Sequence, residues 1–206
     1  MGDMKHDMRL ELPFRRATPD DAHALAELID FAGEGMPSYL WARMAEPGED
    51  IWDVGRRRAK REEGGFSYRN AVVLEEGGRV AACLIGYPLP DEPEPIDYER
   101  MPAMFVPLQE LENLAPGTWY VNVLAAYPEC RGQGYGTRLL GLAEGLAATS
   151  GSKGLSIIVS DANQGARRLY ERCGYRAAAK RVMVKEEWEN AGVNWMLLLK
   201  PLRDES

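Results

Sequence analysis

The sequence has few of the residues from which metal sites and disulfide frameworks are built. Its 206 residues include only three cysteines and two histidines. Cys83, Cys130 and Cys173 are odd in number and follow no metal-binding spacing. We therefore expect no bound metal, and we interpret the cysteines as reduced thiols that pack like small apolar side chains.

Long apolar runs and an excess of basic residues are missing as well. No stretch approaches the ~20 apolar residues that cross a bilayer, and residues 1–9 lack the apolar centre of a signal peptide. Acidic residues outnumber basic ones by 32 to 25, which argues against a nucleic-acid-binding surface. We expect a cytoplasmic protein without nucleic-acid or membrane partners, with a disordered extension at 1–9 and a single domain over 10–206.

The pattern of apolar residues predicts strands alternating with helices. A strand over 10–16 precedes a helix that begins after Thr18 and ends at Gly33, and a second helical stretch leads to a hairpin with its turn at Gly77-Gly78. After a proline-rich and acidic segment, 91–116, the order is strand, helix, strand, helix and two strands. This order favours a mixed α/β sheet that contains one parallel βαβ unit.

The stretch RGQGYG, residues 131–136, joins a predicted strand to a predicted helix. Its glycines expose backbone N–H groups at a helix N-terminus, where the free donors and the helix dipole favour an anion. Arg131 adds a positive charge. The stretch thus predicts a phosphate-binding turn, although a glycine-rich connection without a ligand is the alternative that it leaves open.

Three phosphate-binding motifs compete for this stretch. A P-loop requires Gly-Lys-Ser/Thr, which does not follow. A dinucleotide-binding G-x-G-x-x-G requires glycine where this sequence has Thr137 or Leu139, together with an acidic residue about twenty positions later. The pattern Q/R-x-x-G-x-G/A fits, with Arg131, Gly134 and Gly136 in order.

The sequence around this turn resembles a known family. YVNVLAAYPEC before the turn and NQGARRLYERCGY at 163–175 resemble the most recognisable stretches of the GNAT superfamily of acyl-CoA-dependent N-acyltransferases. The resemblance implies a twisted, mixed and mostly antiparallel central sheet with a splayed parallel strand pair and about four flanking helices. It also implies acetyl-CoA as the acyl donor and a primary amine, on a small molecule or a peptide, as the acceptor.

The resemblance also assigns residues to the coenzyme. The pantetheine arm is expected to lie along the strand backbone, with the Leu124 N–H directed at the thioester carbonyl. Asn163 is expected beside the pantetheine, although a plain helix N-cap is an equally typical role. The full set implied for coenzyme binding is Leu124, Ala125, Ala126, Arg131, Gly132, Gln133, Gly134, Tyr135, Gly136, Thr137, Asn163 and Tyr170.

Three residues are candidates for catalysis or acceptor binding. The resemblance places the Tyr170 hydroxyl near the thioester sulfur, where it would protonate or hydrogen-bond the leaving thiolate. Glu34, after the first helix, lies in a region that the resemblance places beside the acceptor site. It is therefore a candidate base or substrate ligand, with a surface carboxylate as the alternative. Asn122 stands where some relatives carry an acidic base. Because an amide cannot take a proton, we expect it to orient the acceptor or a water.

Two functions follow from these assignments. An active N-acetyltransferase would work by direct attack of the amine in a ternary complex, since no Cys–His or Ser–His arrangement suggests a covalent intermediate. A catalytically silent acyl-CoA-binding domain is the alternative, and Asn122 leaves room for it. The apolar final strand also makes a homodimer possible. The sequence identifies neither the acceptor nor the general base.

Overall fold

The structure, a computed structural model, describes residues 10–202. These residues form seven strands and six α-helices. The strands are β1 (Phe14–Arg16), β2 (Ala71–Glu76), β3 (Arg79–Pro88), β4 (Trp119–Ala126), β5 (Gly154–Ser160), β6 (Arg176–Val182) and β7 (Asn194–Pro201), and the helices are α1 (Ala22–Ala32), α2 (Met36–Ala42), α3 (Ile51–Ala59), α4 (Val106–Glu112), α5 (Tyr135–Thr149) and α6 (Gln164–Arg172). The extension predicted at 1–9 lies outside the described residues, and the single domain over 10–206 stays a prediction.

The described strands join one sheet in the order β1-β2-β3-β4-β5-β7-β6. Every neighbouring pair among them is antiparallel except β4 and β5. These two pair only over Trp119–Val121, although β4 continues to Ala126. The mixed, mostly antiparallel sheet with one splayed parallel pair is therefore confirmed.

The helices differ from the prediction in number. The second helical stretch, in which the sequence predicts a break at Pro47-Gly48, is divided into α2 and α3 by residues 43–50, and Gly48 has a positive φ of 85°. The segment 91–116, which the sequence predicts as a long loop with one short helix, contains α4, with Pro107 in its first turn, where a missing N–H is tolerated. Within residues 10–202, six α-helices therefore flank the sheet in place of about four.

Helices cover both faces of the sheet. On one face, α5 and α6 pack against β3, β4 and β5 through a core that includes Leu139, Leu140 and Tyr170. On the other face, α1 packs over β3 and β4 and α3 packs against α1, while α4 packs over β6 and β7. The point at which β4 and β5 separate thus lies between packed layers, and it opens into a cavity.

Candidate active site

A cavity of about 640 Å³ lies where β4 and β5 separate. Its walls come from the C-terminal ends of both strands, the turn before α5, the start of α6 and the connection between α1 and α2. This volume is within the usual range for small-molecule and cofactor sites. Residues 10–202 contain no group of three His, Cys, Asp or Glu side chains that could hold a metal ion.

The end of β4 presents unpaired backbone groups to this cavity. The Tyr127 N–H donates to the Ala81 carbonyl oxygen at 3.0 Å, which shows which β4 residues bond β3. Because bonded and non-bonded pairs alternate in antiparallel strands, Ala125 bonds β3, whereas the N–H and C=O groups of Leu124 and Ala126 point into the gap. Of these three predicted residues, Leu124 offers its N–H and C=O to a ligand and Ala126 offers its N–H, whereas Ala125 offers neither group. The Ala126 carbonyl oxygen accepts the Arg131 Nε–H at 3.4 Å.

Asn122 occupies a β-bulge beside the same gap. Consecutive β3 residues oppose Val121 and Val123, so that Asn122 has no partner on that strand. Its side-chain amide donates to the Gly65 carbonyl oxygen at 3.3 Å, and the residue lines the cavity. The bulge thus turns Asn122 into the cavity wall and ties the strand to the segment before β2.

The glycine turn before α5 leaves backbone donors free. Gly132 and Gly134 have positive φ values of 78° and 80°, and a β-carbon at either would meet no protein atom within 4 Å. The first helical hydrogen bond joins the Arg138 N–H to the Gly134 carbonyl oxygen. The N–H groups of residues 135–137 therefore have no helical acceptor. A β-carbon at Gly136 would instead lie 2.7 Å from the Leu169 side chain, so this glycine allows α5 to approach α6.

Two arginines line the mouth of the cavity, and one predicted residue does not line it. Arg131 and Arg172 are among the lining residues, and Arg172 was not predicted although it lies two positions after Tyr170. The predicted residue Gln133 does not line the cavity. Its side-chain oxygen accepts the Tyr135 hydroxyl at 2.8 Å. The end of the cavity next to the glycine turn is therefore positively charged.

Tyr170 lines the cavity from α6, with only 6% of its surface exposed. Within residues 10–202, no protein group hydrogen-bonds its hydroxyl. Burial, and next the negative charge of Glu34, raise the pKa of Tyr170 above its ordinary value. The phenol thus stays protonated at neutral pH and can donate a hydrogen bond or a proton into the cavity.

Glu34 is built into the opposite wall. It has a positive φ of 54°, and Gly35 after it has a φ of 82°. The Asn163 and Asn190 side-chain amides donate to its two carboxylate oxygens at 2.7 and 2.6 Å, and the Trp188 Nε1–H donates to its carbonyl oxygen at 3.2 Å. No lysine or arginine of the described chain forms a salt bridge with Glu34. The structure thus places Glu34 in the cavity wall with neutral partners.

Asn163 connects Glu34 to α6. Its Oδ1 accepts the Ala166 N–H at 3.1 Å, which is the N-cap interaction that the sequence predicts. Its amide nitrogen points the other way, to Glu34. One side chain thus joins the start of the Tyr170 helix to the Glu34 carboxylate, and it also lines the cavity.

The chain resembles proteins of known class. A family model described as Acetyltransferase (GNAT) family matches residues 34–175. The chain belongs to the GNAT family of acetyltransferases. Family membership confirms the predicted acyltransferase class, with acetyl-CoA as the acyl donor.

Solved acetyltransferase structures have the same fold as this GNAT chain. A crystal structure of an acetyltransferase shares 21% identity, covers 92% of this chain and 99% of its own, and gives a TM-score of 0.64. An N-acetyltransferase from Staphylococcus aureus Mu50 shares 20% identity over 90% of this chain and 98% of its own, with a TM-score of 0.60. No curated protein matches the sequence. No helix within residues 10–202 of this GNAT protein has the length and apolar character needed to span a membrane.

Besides Arg172, sequence reasoning missed Trp188 and Asn190, which hold Glu34 in the wall of this GNAT site. Both lie in the connection between β6 and β7, in the stretch EWENAG. Their partner Glu34 is more than 150 positions away along the chain. The tryptophan and the Asn-Ala-Gly turn were the only local signals, and neither points to a partner.

Proposed function

We propose that this chain transfers the acetyl group of acetyl-CoA to a primary amine by direct attack in a ternary complex. The observation that supports this proposal is one cavity with three groups around it: free β4 backbone groups, the Tyr170 hydroxyl and the Glu34 carboxylate. These groups suit a carbonyl oxygen, a leaving thiolate and an amine, respectively.

The donor would lie along the glycine turn and the end of β4. The pyrophosphate would accept hydrogen bonds from the N–H groups of residues 135–137, aided by the helix dipole and by Arg131. The pantetheine would pair with the backbone of Leu124 and the N–H of Ala126 like an added strand, which uses groups that β5 does not. The thioester would then lie between Leu124 and Tyr170.

The chemistry would begin when the amine nitrogen attacks the thioester carbonyl carbon. The carbonyl electron pair moves to oxygen, where the Leu124 N–H donates to it. The C=O bond then reforms as the C–S bond breaks, and Tyr170 gives its proton to the departing thiolate. The proton lost by the nitrogen returns to the phenolate through Glu34 and solvent. The products are an amide and free coenzyme A.

Glu34 would bind the acceptor as its ammonium ion and pass one proton from it to solvent before the attack, which frees the lone pair of the nitrogen. It would take the second proton of the nitrogen after the attack. A lysine-like amine, with a pKa of ~10.4, arrives mostly as an ammonium ion. Glu34 offers this ion a carboxylate with two amide donors but no salt-bridge partner among the described residues. Its carboxylate therefore favours acceptors with a protonated amine, and Asn122 would orient them from the bulge.

An amine panel with acetyl-CoA tests this function. The panel contains spermidine, an aminoglycoside, free lysine, a lysine-containing peptide and a peptide with a free N-terminal amine, and the measurement is thiol release together with the mass of the acetylated product. We expect release that depends on one class of amine. Release without any amine would show hydrolysis alone. No release, with a melting temperature that acetyl-CoA still raises, would favour a silent acyl-CoA-binding domain.

A further inference from the structure

The connection between β6 and β7, residues 183–193, reaches across the sheet to the cavity wall and is here called the β6–β7 loop. Its Asn190 side chain donates to a Glu34 carboxylate oxygen at 2.6 Å. Its Trp188 ring donates to the Glu34 carbonyl oxygen at 3.2 Å. Glu34 is thus held from this loop through both its side chain and its backbone.

The orientation of the Asn190 amide follows from its neighbours. Its side-chain oxygen accepts the Gly192 N–H at 2.6 Å, and its nitrogen faces the carboxylate. The flipped amide would place an oxygen against the Glu34 oxygen and an NH₂ group against an N–H. Asn190 is therefore a donor to Glu34, and Gly192 keeps it in that orientation.

The loop itself is firmly seated. The Trp188 ring stacks on Trp195 with a centroid distance of 5.9 Å and an interplanar angle of 10°, and it is 5% exposed. Trp195 lies on β7 opposite Ser160 and lines the cavity. A salt bridge between Arg43 and Glu186 also joins the loop to the end of α2. The loop segment that carries Asn190 is therefore packed against the sheet.

Glu34 needs such support because its backbone is in the left-handed region. A residue with a β-carbon is disfavoured there, and such conformations persist where the surroundings hold them. Asn163 supports the carboxylate from the side of α6, and Asn190 supports it from the β6–β7 loop. Without one of these amides, the carboxylate would have one anchor in place of two.

We propose that Asn190 is a positioning residue that holds Glu34 in place for the acceptor amine. This inference rests on the proposed role of Glu34 as the ligand of the acceptor. Asn190 does not line the cavity, so it acts through Glu34 and touches neither the coenzyme nor the acceptor. Asn163, in contrast, also caps the helix that carries Tyr170, so its replacement would disturb both the Glu34 carboxylate and the start of α6.

The first test uses Asn190→Asp. Aspartate keeps an oxygen for the Gly192 N–H but replaces the donor to Glu34 with a second carboxylate oxygen. We expect amide hydrogen exchange in residues 33–36 to rise about tenfold or more while the overall unfolding midpoint changes little. Asn113→Asp makes the same chemical change in a loop where the side chain bonds Glu94, and it should leave residues 33–36 unaffected.

A reversed pair makes this test specific. In the double variant Glu34→Gln with Asn190→Asp, the glutamine NH₂ can donate to the aspartate, so the hydrogen bond returns with donor and acceptor exchanged. We expect exchange in residues 33–36 to return towards the native rate. A purely local effect of Asn190 on its own loop would not be rescued from position 34, and that result would overturn the proposal.

The kinetic test uses the amine that the panel identifies. Asn190→Asp should raise the KM for that amine about tenfold and leave the KM for acetyl-CoA nearly unchanged. In the Glu34→Gln background, Asn190→Asp should cause no further loss. Effects that multiply would show that Asn190 acts independently of Glu34 and would contradict the proposal. If no amine releases thiol, the proposed function fails, but native exchange rates in Asn190→Asp would still refute the positioning role by themselves.

Discussion

The proposed donor and acceptor sides of the cavity are built in different ways. The donor side comes from one continuous segment, the end of β4 and the turn before α5, and it offers backbone groups beside Arg131. The acceptor side brings together Glu34, Asn163 and Asn190 from separate segments, up to 156 positions apart, and it offers side chains around a carboxylate. A backbone site tolerates most side-chain changes except at its glycines, whereas a site of converging side chains depends on each of them.

Tyr170 stands between the two sides, so its loss tests whether they meet in one reaction. Tyr170→Phe removes the hydroxyl that would protonate the thiolate while the ring stays in place. We expect kcat to fall about 100-fold, since general acid catalysis contributes that much or more. The KM values for acetyl-CoA and amine should change little. Initial rates of thiol release over both substrate concentrations give all three constants.

The neighbouring tyrosine provides the control for this experiment. Tyr175 lies 6.0 Å from Tyr170 between ring centroids, and its buried hydroxyl has no partner within the described chain. Tyr175→Phe removes the same atom without removing a hydrogen bond, so stability should stay equal or rise slightly. An equal loss of kcat in both variants would mean that Tyr170 is a packing residue.

A glycine substitution should break the donor side alone. Gly134→Val adds a side chain where no protein atom lies within 4 Å of the β-carbon, but where the pyrophosphate would lie. We expect the KM for acetyl-CoA to rise about 30-fold, equivalent to ~2 kcal/mol, with the amine KM nearly unchanged. Gly78→Val adds the same side chain at a similar φ, also with open space, in the β2–β3 turn. Its KM values should match those of the native protein, and its loss of melting temperature should resemble that of Gly134→Val.

A charge change should break the acceptor side alone. Glu34→Gln keeps the shape of the side chain but removes the negative charge that would bind the ammonium. We expect kcat/KM for the amine to fall about tenfold, with the acetyl-CoA KM unchanged. High salt screens the charge of Glu34, so the difference in kcat/KM between the native enzyme and Glu34→Gln should become smaller. If acetyl-CoA binding weakened equally, the two sides would not be separable and Glu34 would serve the donor as well.

The sequence predicts the donor side better because glycine patterns report backbone conformation. RGQGYG indicates a turn that exposes amides at a helix N-terminus, and Gly132 and Gly134 have the positive φ values that such a turn requires. Which strand residues face the gap could not be predicted, because that depends on the pairing register between β3 and β4. Ala125 was therefore included with Leu124 and Ala126, although its backbone bonds β3.

The acceptor side was predicted only in part, for a related reason. Glu34 follows a helix next to two glycines, and the local sequence alone is more typical of a carboxylate in a surface loop. Its place in the cavity depends on Asn163 and Asn190, and no local pattern connects these three positions. Contacts between side chains that are far apart in sequence arise from the whole topology, so propensity and spacing do not predict them.

Glu112 belongs to neither side of the cavity, so its replacement should change stability and leave the kinetic constants unchanged. It is half-buried on α4 and is not among the residues that line the cavity. Burial, and next the charge of Glu94, raise the pKa of Glu112 to about 7. A carboxyl in an unfolded chain titrates near ~4.3, so the folded protein binds this proton more tightly than the unfolded chain does.

The sign of the resulting pH effect follows from this difference. Below pH ~4 the carboxyl is protonated in both states and does not affect stability, whereas above pH 7 its ionised form is disfavoured by burial. The native protein should therefore lose about 1–2 kcal/mol of unfolding free energy as the pH rises from ~4 to ~7, after allowance for solvent screening. Glu112→Gln should melt about 3–5 °C above the native protein at pH 8 and almost equally at pH 4.

Thermal unfolding of Glu112→Gln at several pH values, with Glu99→Gln as an exposed control in the preceding loop, measures this effect. The kinetic constants of Glu112→Gln should equal those of the native enzyme, because α4 contributes no side chain to the cavity wall. A loss of amine turnover in this variant would extend the acceptor side to α4. An equal pH dependence in Glu112→Gln and the native protein would mean that Glu112 titrates like an exposed carboxyl.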